Sequence, residues 1–396
     1  MPKMVTLLGI ILAGLAGSIA PAQTAVSPPA DALVERLDLD IKFYAKHLDA
    51  GGIPIVASEK VSDYALLEAR WILDRMLEGR DDLRRAIAAT KVRLAIMAPD
   101  EHTTAIPEHS DLKPPAYWDK RARGLGATDL RPAVSVGEEN LLGYKGDPYA
   151  EENILVHEFA HVLHQHGLTH VEEGFDERLR GIFDAAVEEG LWKGKYAGTN
   201  HSEYFAEAVQ SWFGTNREDD HDHNHVNTRR ELLEYDPRLG ALMMEIFGEN
   251  EWRYLRPPDR PKPPAHLVGY DPSRAAFFVW PEEVVEAYEA HQAGRHLELL
   301  EDLFEEDWSE ARSSKSFRRV QVRFENKTAG AIRIQWVDFE GDRQVMGRAD
   351  PGRNAEQSTF AGHLWEVLDE QDTVIARFRA GRKNARGVVS DDIEAK

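Results

Sequence analysis

From Ser316 onward, apolar residues recur at every second position, whereas before it they recur mainly at intervals of three and four. A strand sends successive side chains to opposite faces, and a helix brings a side chain back to the same face after three or four residues. The change of period therefore divides the chain into two regions with different packing. On the C-terminal side, Val320, Val322 and Phe324 alternate with polar or charged residues. Ile332, Ile334 and Trp336 repeat the pattern, and the runs 363–368 and 373–378 follow. Turn-forming clusters at 326–330, 340–342, 350–352 and 369–372 separate these runs. The pattern predicts a small all-β sandwich over 316–382 and a flexible tail over 383–396.

The region before it reads as α+β. Helical periodicity begins with Leu33, Leu37, Ile41 and Phe43-Tyr44, and the spacing predicts helices over 62–77, 152–165 and 202–213. Alternation predicts strands over 91–97 and 133–136, and the Pro, Gly and charge of 101–130 predict a long surface loop. A first domain is thus expected over 31–255. Five prolines between Arg256 and Pro264 predict a boundary or an irregular wrap across the surface, and with the charged helical pattern over 282–306 the residues 256–315 are read as a Pro-rich connection and helix.

Composition narrows what such a chain can do. With 48 Lys and Arg against 69 Asp and Glu, the net charge is −21 and no long basic run exists. Nucleic acid is therefore excluded as a partner, because its binding relies on clustered cations to displace counterions. The chain has no cysteine, which removes disulfides, thiolate ligands and Cys nucleophiles, so any metal must rest on His and carboxylates. At the N-terminus, Lys3 precedes an apolar run over 4–20 and then Ala20-Pro21-Ala22. This is the pattern of a signal peptide over 1–22 cleaved after Ala22. The run is short and Gly-interrupted for a stable membrane span, so the mature protein is expected to be exported, to the periplasm or the extracellular space.

Residues 155–164 read Leu-Val-His-Glu-Phe-Ala-His-Val-Leu-His. His157 and His161, at i and i+4 on a helix, can converge on one ion, and Glu158 can reach the water that the ion activates. The bland alternative is an amphipathic helix with two surface histidines. The flanks Ile154, Leu155, Val156, Val162 and Leu163 argue against it, because they bury the helix, where unliganded imidazoles and a carboxylate are costly. A metzincin pattern would need Gly at 164 and His at 167, whereas the chain has His164 and Gly167. His164, His166 and His170 are therefore read as supporting, loop or surface residues. The third ligand is expected from Glu203 or its neighbourhood. Glu203 and Glu207 lie at i and i+4 of a second helix, one suited to the metal and the other to holding a ligand imidazole. Asn200 with Glu203 also fits a capping box. His221, His223 and His225 are expected in a solvated loop or against the cleft as a substrate or oxyanion contact.

These two segments resemble the gluzincin metallopeptidases, most closely the family of the anthrax toxin lethal factor catalytic domain. That family pairs a His-Glu-Phe-x-His helix with a downstream Tyr-Gly-x-Thr-Asn-x-x-Glu-Phe-Phe-Ala-Glu-Ala segment, matched here by 196–208 with departures at Ala197, His201 and Ser202. The resemblance implies a zincin-like domain with Zn2+ on His157, His161 and Glu203, Glu207 as outer support of the site, and Tyr196 as the hydroxyl facing the oxyanion.

The C-terminal region is similar to the β domain of the von Hippel-Lindau tumour suppressor. The similarity is carried by Val320-Gln-Val-Arg-Phe-Glu-Asn326, Ile334-Gln-Trp-Val-Asp-Phe-Glu-Gly341, Asp350-Pro-Gly352 and Gly362-His-Leu-Trp365. It implies a face that recognises a proline- or hydroxyproline-containing peptide through Trp336, Thr359, His363 and Trp365. Met346 stands where the family has a pocket Tyr, and the alternative is that Trp336 and Trp365 are ordinary core. Nothing in the chain resembles that family's α domain, so a ubiquitin-ligase role is not implied.

The expectation is an exported zinc metallopeptidase, acting on peptide or protein through Glu158 and Tyr196, with a peptide-recognising β domain. The alternative is a catalytically idle zinc scaffold whose β domain binds partners. Export makes one direct prediction: N-terminal sequencing of the mature protein should begin at Gln23, and an intact Met1 would contradict it.

Overall fold

Ile53–Ala57, Arg93–Met97 and Ala133–Gly137 are buried at every position, as strands covered on both faces must be. In the computed structural model, which describes residues 25–391, they form the centre of a five-stranded sheet. With β1 (Lys46–Ala50), β2 (Ile53–Ala57), β3 (Arg93–Met97), β4 (Gly124–Leu125) and β5 (Ala133–Gly137), the order is β1-β2-β3-β5-β4. β2, β3 and β5 run parallel, with Ile55 opposite Leu94 and Ile96 opposite Val136, while the two edge strands are antiparallel to their neighbours. Alternation sorts the side chains between two cores. Ile53, Ile55, Leu94, Ile96, Val134 and Val136 face the main core, and Val56, Ala95, Met97 and Ala133 face a smaller one that includes Leu37 and Tyr44. The expected signal segment 1–22 lies outside the described residues.

The helices of this unit are α1 (Asp31–Leu37), α2 (Asp63–Met76), α3 (Asp81–Ala88), α4 (Pro115–Arg121), α5 (Glu138–Leu142), α6 (Ile154–Val162), α7 (Thr169–Val171), α8 (Phe175–Glu188), α9 (His201–Phe213), α10 (Arg229–Tyr235) and α11 (Pro237–Phe247). The helical period read around Leu33–Leu37 stops at α1. Residues 46–57 instead form a hairpin whose turn places Gly51 and Gly52 at φ of 67° and 95°, with the Asp49 carboxylate accepting both of their N–H groups.

Two expectations are corrected here. The segment 101–130 is not a surface loop: it carries α4, β4 and the fully buried Arg123. The Arg123 guanidinium pairs with Glu139 at 2.6 and 2.9 Å and also donates to the carbonyls of Ala98 and Glu101. Its charge serves an internal ion pair, which composition alone cannot separate from a solvated one. Likewise, the Pro-rich residues are not a connection between domains. Arg260 and His266 both bond the buried carboxylate of Glu68 on α2, and the His266 ring stacks on Trp71. The division into two units falls after Val284.

The second unit, described by itself, is β-rich. Helix α12 (Glu282–Gln292), which spans the division, is shorter than the expected 282–306. The strands are β6 (Glu298–Leu299), β7 (Arg319–Asn326), β8 (Ile332–Val337), β9 (Arg343–Ala349), β10 (Asn354–Phe360), β11 (Leu364–Leu368), β12 (Val374–Arg379) and β13 (Ala385–Val389). They form two sheets, ordered β10-β7-β13-β6 and β12-β11-β8-β9. Val322, Phe324, Ile332, Ile334, Trp365, Val367 and Phe378 make the core. Residues 383–396 were expected as a flexible tail, yet β13 within them pairs parallel with β7 from Ala385 opposite Val322 to Val389 opposite Asn326. Among the described residues no helix is long and apolar enough to cross a membrane.

Candidate metal centre

Two buried helices build the centre. The N-terminus of α6 is held by Asn153, whose side chain accepts from Val156 N–H, and by Asn140, whose side chain accepts from Ile154 N–H. Every α6 residue except Glu158 is buried, so its imidazoles are aimed within the protein. In α9, Asn200 caps the helix by accepting from both Ser202 and Glu203 N–H. Glu203 does not complete a capping box, since its carboxylate reaches the α6 imidazoles instead. Asn200 satisfies the helix end and leaves Glu203 free for the site.

The donors converge. Glu203 Oε2 lies 3.1 Å from His157 Nε2 and 3.4 Å from His161 Nε2, and the two rings are 5.1 Å apart. The outer ring nitrogens are held from behind. His157 Nδ1 lies 2.7 Å from Gln210 Oε1 and 3.5 Å from Glu207 Oε1, and His161 Nδ1 lies 2.9 Å from Ser202 Oγ. These contacts turn both Nε2 atoms toward the same point, the arrangement by which a metal site fixes its imidazoles.

The electrostatics call for a cation. Burial lowers the affinity of His157 for a proton, but the Glu203 hydrogen bond and the charges of Glu158 and Glu207 outweigh it and push the ring up to about 10. Burial raises Glu203, yet its hydrogen bonds from His157 and His161 win and hold it well below the usual carboxylate range. Glu158 is raised, chiefly by burial. A buried space with three carboxylates around two imidazoles therefore holds positive charge strongly. Two imidazole nitrogens and one carboxylate oxygen are a donor set that suits zinc. His157, His161 and Glu203 form a group able to hold a metal, and no fourth His, Asp or Glu joins it among the described residues.

His157, alone of the three, lines a cleft of about 270 Å3, together with Glu158, Tyr196, Arg121, Arg217 and His223, among others. Tyr196 sits on a short turn, Tyr196–Gly198, with its ring 6.1 Å from that of His157. Gly198 is obligatory there, because a Cβ would fall 2.4 Å from Trp192 O. Burial raises Tyr196 and keeps its hydroxyl protonated, with the charges of Glu203 and Glu158 adding to the effect. One wall is the edge strand β4. A Cβ on Gly124 would strike Ile154 at 2.3 Å, and one on Gly126 would come within 3.3 Å of His161, so these glycines let the strand lie directly against α6.

The remaining predicted residues are placed as follows. Glu207 is buried and shared between His157, Asn216 and His223 rather than devoted to one ligand. Gln210, one turn further on α9, makes the shorter contact with His157 and went unread in the sequence; its i+7 spacing from Glu203 was the signal. His223 is buried between Glu207 and Asp220, whereas His221 is exposed and His225 is exposed with its ring against Tyr235. His166 is buried, His170 is exposed, and His164 belongs to a separate cluster. In the β unit, Thr359 Oγ1 and His363 Nδ1 bond each other at 2.9 Å, and Trp336 stacks on His363. Trp365 lies in the sandwich core against Phe324, as core rather than as an open wall, and Met346 is exposed on β9.

Residues 311–374 match the VHL beta domain family. No curated protein matches the chain. The match begins at Ala311, ahead of the expected 316, and so takes in Ser313, whose hydroxyl meets Trp336 Nε1, the Val337 carbonyl and Leu364 N–H. The chain thus combines an α+β region bearing a buried His-His-Glu group with a β-rich region that carries a VHL beta domain.

The ligand geometry makes a graded prediction for zinc affinity, read by competition with a chromophoric chelator. Glu203→Ala should abolish tight binding at this group. Gln210→Leu, which frees His157 Nδ1, should weaken it roughly 10- to 100-fold. Zinc stoichiometry unchanged in Glu203→Ala would reject the ligand set.

Proposed function

We propose that the N-terminal unit is a zinc-dependent peptidase of the gluzincin kind, similar in its two helix motifs to the lethal factor catalytic domain family, and that the protein acts after export. The observation that carries this reading is the convergence of His157 Nε2, His161 Nε2 and Glu203 Oε2 beside a cleft that His157 lines together with Glu158 and Tyr196. Zinc, when bound, supplies Lewis-acid polarisation of a carbonyl and lowers the pKa of water. The chain's own groups supply the rest. Glu158, raised by burial, is suited to accept a proton from the water that adds to the peptide carbonyl and to return it to the departing amine nitrogen. The Tyr196 hydroxyl, kept protonated, donates a hydrogen bond to the oxygen that gains charge, and Arg121 lies against that hydroxyl. The edge strand β4 offers an extended substrate a backbone to align with.

The idle-scaffold reading is less well supported, because a group of three protein donors leaves a coordination position for a substrate. Glu158→Gln should retain zinc and lose peptidase turnover on a peptide library, and Tyr196→Phe should lose about 10²- to 10³-fold. Peptidase activity retained in Glu158→Gln would overturn the enzyme reading.

For the β unit we propose recognition of a proline- or hydroxyproline-containing peptide. The supporting observation is that His363 Nε2 is buried with no hydrogen-bond partner among the described residues, its ring stacked on the half-buried Trp336. A buried polar atom without a partner is costly, and a ligand hydroxyl or carbonyl would relieve it. Titration of the full chain with hydroxyproline-rich peptide should show binding that His363→Ala abolishes. Absent binding, or binding indifferent to His363→Ala, would leave these side chains as core.

A further inference from the structure

Directly after α6 ends at Val162, two residues past His161, the chain does not continue as an α-helix. Residues Leu163–Leu168 form a π-helical turn, a rare local geometry that tends to occur where a side chain must be re-aimed for function. His164 lies in this turn and is 2% exposed. Its Nε2 lies 2.9 Å from Asp176 Oδ1, in the first turn of α8, and the same oxygen lies 3.0 Å from Nε2 of His201, the first residue of α9. Three donor atoms from three helical segments thus lie within 4.8 Å of one another, and none of the three belongs to the His157–His161–Glu203 group.

Two arrangements fit these distances. Without a metal, the Nε2–H groups of His164 and His201 both donate to Asp176 Oδ1, while Arg180 Nη2, 3.4 Å from His201 Nε2, stays on Asp176 Oδ2. With a cation among them, both Nε2 atoms present lone pairs and Asp176 Oδ1 its charge. Asp176 Oδ2 is already held by Arg180 Nη2 at 3.0 Å, which fixes the carboxylate to offer one oxygen inward. Arg180 is exposed and is free to turn its other contact away from His201. The donor separations of 2.9 and 3.0 Å need open only a few tenths of an ångström to reach about 3.3 Å, the edge of a tetrahedron with zinc bonds of 2.0–2.1 Å.

We propose that His164, Asp176 and His201 form a second zinc site, which ties the start of α8 to the helix pair that carries the first. Two imidazoles and a carboxylate select a zinc-like divalent ion over calcium or magnesium, which prefer all-oxygen sites. The site lies away from the cleft-lining residues, and its proposed role is to hold α6, α8 and α9 in register. It does not depend on the peptidase reading.

The test is zinc content of the purified full chain by mass spectrometry after dialysis against zinc and then buffer. The wild type should carry about two equivalents, and Asp176→Asn, His201→Gln and Glu203→Ala should carry about one each, by the three-ligand logic of the two groups. One equivalent in the wild type that Glu203→Ala loses and His201→Gln keeps would overturn the second site. One equivalent lost in His201→Gln and kept in Glu203→Ala would uphold it while removing the zinc reading of the first group. No zinc in any form would remove both. Should Asp176→Asn fail to fold, thermal unfolding decides in the Glu203→Ala background: added zinc should raise Tm, and His201→Gln should abolish the rise. No rise there would overturn the proposal.

Discussion

The N-terminal unit is arranged around one electrostatic problem, the burial of two imidazoles against three carboxylates between α6 and α9. Glu158, Glu203 and Glu207 lie around His157 and His161, whose imidazoles are buried. Isolated charges in such a place are expensive, and the arrangement is stable only if positive charge is held among them. A proton can play that part, which is why His157 is pushed up to about 10. A zinc ion, proposed as the resident group, answers the same demand with two charges and directed bonds. The buried flanks of α6 and α9 are the other side of this balance: Leu155, Phe159, Val162, Phe205, Val209 and Trp212 all lie in the main core, and their burial holds the charged faces together.

Much of the surrounding fold serves to keep that pair of helices in place. Asn140 links the end of α5 to the first turn of α6, with its carbonyl on Ile154 N–H and its amide on Glu152 O. The buried Arg123–Glu139 pair anchors the strand that walls the cleft, just before the glycines that let it approach α6. Breaking such a pair leaves an uncompensated charge in the interior and costs about 3–5 kcal/mol. The segment with the least regular sequence is thereby among the most tightly specified in position.

What could be read in the sequence, and what could not, follows the range of the interactions involved. The α6 and α9 helices were legible because a local period and a cap at Asn200 define them, and His157, His161 and Glu203 follow from spacing on two helices. The strands β7, β8, β11 and β12 were legible from alternation. β9 and β10 were missed because they expose most of their side chains, so alternation has little apolar signal there. β13, Ala-Arg-Gly-Val-Val, was missed because five residues with a glycine at the centre give too short an alternation to read, and its pairing with β7 places it as a strand. The second His-Asp-His cluster was invisible for a similar reason. His164 was set aside by counting residues against another motif, whereas its partners are brought to it by the packing of α8 and by a π-helical turn that no periodicity foretells.

The claim on which the account rests is that His157, His161 and Glu203 hold zinc at a position open to the cleft. The most direct measurement is an anomalous difference map at the zinc edge from crystals of the protein grown with zinc. The account predicts a peak about 2.0–2.2 Å from His157 Nε2, His161 Nε2 and a Glu203 carboxylate oxygen, with no fourth protein ligand and with Glu158 and Tyr196 on its open side. A map without a peak among these three side chains, or one in which a fourth side chain closes the site, would contradict it.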